Sequence, residues 1–125
     1  MGVDRVERLL EQHPRSEAEL FTRRESQYCR SRRRCYEHMA ARFAAKEAVL
    51  KSFGTGLGAR MRWTDVEIVT ARTGRPQVKL FGEVAEWAKR MGIADVDVSL
   101  SHTESLAVAQ AVAITDRSAG PCAST

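Results

Sequence analysis

The feature that most constrains this chain is an uninterrupted helical run near its middle. Residues 36–53, YEHMAARFAAKEAVLKSF, contain neither glycine nor proline. They are rich in Ala, with Glu, Lys, Leu, Met and Arg beside it, all of which lose little side-chain freedom in a helix. Met39, Phe43, Leu50 and Phe53 recur at helical spacings, which predicts an apolar stripe. Gly54 follows and can take the left-handed conformation that ends a helix. Eighteen helical residues extend roughly 27 Å. In a chain of 125 residues, the other elements must pack around that rod.

The flanking elements are shorter. Residues 4–12 place Val6, Leu9 and Leu10 at helical spacing, and His13-Pro14 stops that helix. Thr22 with Glu25 forms a capping-box signature for a helix over about 23–30. WTDVEIVT (63–70) alternates and is rich in β-branched residues, so it reads as a strand. Thr73-Gly74-Arg75-Pro76 is turn chemistry, and QVKLF (77–81) is the returning strand. EVAEWAKRM (83–91) reads as a helix, DVSLS (97–101) as a strand and SLAVAQAVAIT (105–115) as a buried strand. Strands in closely linked pairs beside helices predict an α+β fold with antiparallel hairpins. One domain over 1–115 is expected, followed by a flexible tail over 116–125.

Charge is unevenly spread. Residues 1–62 hold 14 Lys/Arg against 8 Asp/Glu, whereas residues 63–125 hold 6 against 8. Sixteen of the twenty bases are arginine, the side chain that grips phosphate or carboxylate with paired donors. Arg30, Arg32, Arg33 and Arg34 cluster just before the long helix. Such a run is most often a solvated face, but it also reads as a phosphate or nucleic-acid patch. Three cysteines without a C-x-x-C spacing argue against a disulfide framework or a zinc ribbon and fit reduced thiols in a cytosol. No apolar run reaches the length of a membrane span, and the charged start MGVDRVERLL does not read as a secretion signal.

The long helix carries the candidate chemistry. Arg42 and Lys46 share one face, and Glu47 and Lys51 share another. A surface ion pair is the ordinary meaning of Glu47 and Lys51. Three bases around one acid, with Gly54-Thr55-Gly56 just beyond, instead suit a phosphate group with a divalent cation. Asp4 is a candidate second carboxylate; by itself it reads as a helix-start acid. His13, His38 and His102 lack metal-ligand spacing.

Taken together, Gly2-Val3-Asp4, Phe21-Thr22-Arg23-Arg24-Glu25, Arg42-Phe43-Ala44-Ala45-Lys46-Glu47-Ala48 with Lys51 and Gly54-Thr55-Gly56, and Val98-Ser99-Leu100-Ser101-His102-Thr103 resemble holo-acyl-carrier-protein synthase. That is the small, trimeric class of 4′-phosphopantetheinyl transferases. The resemblance covers residues 2–115, and the RFAAKEA segment is its most specific part. It implies the phosphopantetheinyl transferase fold, a long helix packed on an antiparallel sheet. It also implies magnesium-dependent transfer of the phosphopantetheine arm of coenzyme A to a serine of an acidic acyl carrier protein, with 3′,5′-ADP leaving.

By the same resemblance, Asp4 and Glu47 would ligate Mg²⁺, and Lys51 would meet the phosphate that changes hands. Arg42, Gly54 and His102 look like coenzyme A contacts. Lys46 joins them as a further cofactor-binding base, and Arg34 falls against the 3′-phosphate. Gln110 matches a position at a homotrimer interface, where the active sites would lie. The basic first half, with Arg5, Arg8, Arg15, Arg23 and Arg24, would steer the carrier. The family has several more residues before the Asp, forming a first strand, so here that strand is clipped or begins upstream.

The implied enzyme is cytoplasmic. Two other readings compete with it: a homologue that binds coenzyme A without reacting, and a basic nucleic-acid-binding module. Only eight aromatics and no RNP-type motif make base stacking a poor fit for the last.

Overall fold

A computed structural model describes residues 1–116; the expected tail and Cys122 otherwise lie outside the described residues. The elements run α1 (Val3–Gln12), α2 (Ser16–Leu20), α3 (Arg23–Arg30), α4 (Cys35–Ser52), β1 (Val66–Thr70), β2 (Pro76–Leu80), α5 (Gly82–Arg90), β3 (Ile93–His102) and β4 (Ala107–Thr115). Both strand pairs are antiparallel, β1 with β2 and β3 with β4, and they form two separate two-stranded sheets. The fold is α+β, as the sequence predicts.

Helix α4 is the axis. It packs against α1, α3, β1, β3 and β4, so its buried positions run most of the way round it rather than along one stripe. On one side Met39, Ala40 and Ala41 meet Val3, Val6, Leu10, Phe21 and Cys29. On the other, Ala45, Val49, Leu50 and Phe53 meet Val66, Ile68, Val84 and Ala88. The small alanines let neighbouring elements come close. Phe43, expected in the stripe, is only half-buried and rests against the Trp63 ring at 4.8 Å.

The termini of α3 and α4 follow the sequence signals. Thr22 Oγ1 accepts from the Glu25 amide at 3.3 Å, and Glu25 Oε1 accepts from the Thr22 amide at 2.8 Å. At the end of α4, Gly54 has φ of 76°. Its amide donates to Lys51 O at 3.0 Å, while the Thr55 amide donates to Leu50 O at 3.1 Å. This paired closure satisfies carbonyls that the helix end would leave open.

Four expectations change. The segment SEAEL forms α2, a helix too short for a period to show in the sequence. Trp63–Asp65 is a 3₁₀ turn rather than the start of a strand, because Asp65 Oδ2 accepts from the Arg62 amide at 3.1 Å and folds the chain back. Strand β3 begins at Ile93, four residues before the expected Asp97, and shifts register between Ile93 and Asp95.

The fourth change concerns β4, which is not buried on both faces. Ala107, Ala109, Ala111 and Ala113 face α4, while Val108 (51% exposed), Val112 (61%) and Ile114 (44%) form an open outer row with Gln110 among them. Hydrophobicity alone does not tell which faces of a strand its own chain covers.

Before α1, the first residues do the work of an edge strand. Met1 and Ala107 exchange two hydrogen bonds at 2.8 Å, and the Val3 amide donates to Ser105 O at 3.0 Å. Cys29 and Cys35 are free thiols, and burial pushes the Cys29 thiol up to about 12.

Candidate active site

The first half of α4 closes one wall of a cavity of about 400 Å³, lined by Tyr28, His38, Arg42, Thr70, Arg75 and His102 among others. Two residues expected to touch coenzyme A, Arg42 and His102, therefore come together here. Arg42 is only 3% exposed. Its Nη2 donates to Thr70 Oγ1 at 2.9 Å, and its guanidinium lies 4.2 Å from the centre of the Tyr28 ring. Its Nε is buried with no hydrogen-bond partner among the described residues. A buried donor on a fixed positive charge is costly unless something accepts from it, so this wall is built for an acceptor.

His102 Nδ1 lies 3.0 Å from Glu37 Oε1, and its ring stands 4.8 Å from His38, edge to face. His38 is held below the usual histidine range, first by burial and then by the neighbouring His102, Arg42 and Arg32. Arg34 reaches this group through Glu37 Oε2 at 3.5 Å and is otherwise largely exposed. The cavity thus gathers guanidinium and imidazole groups around a stacked tyrosine, a chemistry suited to a phosphorylated aromatic ligand.

Lys46 does not belong to this cavity. It is fully buried, and its ammonium spends its three donors inside the fold. It pairs with Glu25 Oε1 at 2.7 Å and donates to Trp63 O at 3.0 Å and to Val66 O. Glu25 Oε2 also accepts from the Ile68 amide at 2.8 Å. Burial, opposed by Glu25, holds Lys46 below the ordinary lysine range. The expected role of Lys46 as a cofactor-binding base is therefore corrected: it ties α3 and β1 to α4. One-turn spacing from Arg42 suggested a shared surface, but that side of the helix is covered.

Glu47 and Lys51 occupy the opposite flank. Glu47 is half-exposed and Lys51 exposed, one turn apart, and the exposed Gly54 follows. Asp4, the other carboxylate expected at the ion, lies on α1. It is exposed, in a shallow groove with Glu7, Arg8, Glu11 and Gln12, all on α1. The stripe of α1 that joins the core is Val3, Val6 and Leu10. Asp4 makes no side-chain hydrogen bond or ion pair among the described residues, and those residues contain no cluster of three or more metal-ligating side chains. Glu47 fits a magnesium ion that takes few protein carboxylates; the structure gives no contact by which Asp4 joins it.

The arginine run also resolves. Arg30 pairs with Glu17, and Arg32 lies 4.5 Å from the centre of the Tyr28 ring. With Arg34 on Glu37, three of its four members have partners within the fold. Sequence reasoning missed Tyr28, His38 and Glu37, and it read Gly74-Arg75-Pro76 as a turn only. Nothing local marks these residues, because three separate segments meet only in the folded chain.

Residues 1–111 match the 4′-phosphopantetheinyl transferase superfamily. The chain belongs to that family. It is a phosphopantetheinyl transferase. Among its relatives, holo-[acyl-carrier-protein] synthase of Moorella thermoacetica is 45% identical over 110 residues, 88% of this chain and 85% of that protein. The solved acyl carrier protein synthase of Plasmodium yoelii with ADP bound matches at a TM-score of 0.84 and 28% identity, covering 94% of this chain and 91% of that one. The Bacillus anthracis holo-(acyl-carrier-protein) synthase in complex with CoA (3′,5′-ADP) matches at 0.76 and 28% identity, covering 93% and 91%. No helix among the described residues is long and apolar enough to cross a membrane.

Proposed function

We propose that this chain transfers the 4′-phosphopantetheine arm of coenzyme A to a serine hydroxyl of an apo acyl carrier protein and releases 3′,5′-ADP. The observation that carries the reading is the buried, partly unpartnered Arg42 in the wall of a cavity shared with His102 and Tyr28. The adenosine end of coenzyme A supplies both the phosphate acceptors and the ring that such a wall favours.

Phosphoryl-type transfer asks mainly for positioning and charge neutralisation. Arg42, His102 and Arg34 hold the adenosine end. Glu47 supplies a carboxylate for Mg²⁺, and the ion, when bound, neutralises diphosphate charge. Lys51, one turn along, faces the phosphate that changes hands, and Gly54 lets the chain pass close to the ligand. Glu47 lies five residues beyond Arg42, which turns it well around the helix from the cavity. A ligand that needs both faces is served best where two copies meet. The open row of Val108, Val112 and Ile114 around Gln110 supports such an assembly, which we take to be a homotrimer. The exposed Arg5, Arg8, Arg15, Arg23 and Arg24 form the docking surface for the acidic carrier, in the cytoplasm.

Incubation with an apo carrier protein, coenzyme A and Mg²⁺ tests the proposal directly. A mass gain of one phosphopantetheine on the carrier is expected, and none should appear when magnesium is chelated. An unmodified carrier, with coenzyme A shown to bind, would leave a coenzyme-binding homologue without the reaction.

A further inference from the structure

Glu37 is only 7% exposed, yet no function so far uses it. It sits in the first turn of α4, while His102 is the last residue of β3. Their contact, Glu37 Oε1 to His102 Nδ1 at 3.0 Å, bridges 65 positions of sequence. The other carboxylate oxygen lies 3.5 Å from Arg34 Nη1. A carboxylate this buried needs such partners. His102 in turn is held from the side by His38 at 4.8 Å, itself 5.9 Å from Tyr28. A side chain at the end of a strand would otherwise turn freely.

We infer that Glu37 is a positioning residue for His102: its carboxylate accepts from Nδ1–H, leaving Nε2–H of the doubly protonated ring to donate to a phosphate of the ligand in the cavity. The hydrogen bond made by one imidazole nitrogen decides what the other can offer. Glu37 is absent from the cavity lining while His102 is part of it, so Glu37 acts through the ring and not on the ligand. This assignment rests on the coenzyme A reading of the cavity.

The experiment is a double-mutant cycle read by calorimetric titration of 3′,5′-ADP and by steady-state kinetics. The proteins are the wild type, E37A, H102A and E37A/H102A. E37A is expected to weaken 3′,5′-ADP binding about ten-fold, the loss of one charge-assisted hydrogen bond. It should raise KM for coenzyme A to match, with kcat and the carrier KM unchanged. In the H102A background the same change should cost nothing further. E37Q, which can still accept from Nδ1, should keep most of the affinity.

Equal losses in both backgrounds, or a loss confined to kcat, would overturn the assignment by showing that Glu37 merely builds the start of α4. If E37A fails to fold, E37M keeps the volume without the acceptor and runs through the same cycle. A wild type that does not bind 3′,5′-ADP would bring down the coenzyme reading and this inference together. Additive losses on a wild type that binds would bring down this inference alone.

Discussion

Helix α4 carries two lysines five residues apart, and they live in different worlds. Lys46 is sealed against Glu25 and two backbone carbonyls, with no exposed surface. Lys51 stands in solvent beside the half-exposed Glu47. Both belong to the segment that most resembles the family, and in the sequence both read as phosphate-binding bases. The structure separates them: one is a buried brace, the other stands open to solvent. A buried charge pair that lost one member would leave the other desolvated, whereas an exposed pair is worth little to stability and is free to meet a ligand.

The largest effect should come from breaking the brace. Lys46→Ala is expected to destabilise the protein by about 3–5 kcal/mol, read from denaturant midpoints. Adding Glu25→Gln should restore part of that loss, because the orphaned carboxylate disappears. A Lys46→Ala protein of parental stability would show that Lys46 is not structural.

Glu47→Ala should do the reverse. Transfer should fall about 10²–10³-fold while the melting temperature stays at the parental value. Lys51→Ala belongs to the same side and should cost about ten-fold in kcat/KM, the size of one charged contact to the reacting phosphate.

Asp4→Asn sharpens the comparison. Asp4 is exposed like Lys51 and as free to meet a ligand, so as the second carboxylate expected at the ion its loss should lower transfer toward the level of Glu47→Ala. A change of less than about two-fold, the size of an ordinary surface substitution, would show that Asp4 does not reach the metal.

The smallest effect concerns His38. Its folded value lies below the ordinary 6.5, so between the two the unfolded chain binds more protons than the native one. Its contribution to stability is then full above that range and is lost as pH falls from about 6.5 through the folded value. His38→Phe should flatten this part of the stability–pH curve; an unchanged slope would assign it to other groups.

Four candidate site residues could be named from the sequence because they crowd into one helix and its capped end. Glu47, Lys51, Gly54 and Arg42 lie within thirteen positions, and helical spacing shows which can share a face. The capping box of Thr22 and Glu25 was equally plain, but not its second duty. The same Glu25 carboxylate that closes α3 also holds Lys46 and the Ile68 amide, and no local pattern announces a contact 43 residues away. The Glu37–His102 tie, at 65 residues, is hidden for the same reason. Asp4 was equally plain as a motif residue, but only the fold shows that the turn of α1 leaves it exposed.

The sequence by itself determined the central helix, its capped end, the two hairpins and the family, because each is written in short-range spacing or in contiguous residue identity. Only the tertiary structure decided which charges on that helix are buried and which are free. Burial depends on what the rest of the chain lays against each face, and α4 is met by elements drawn from the whole length of the fold.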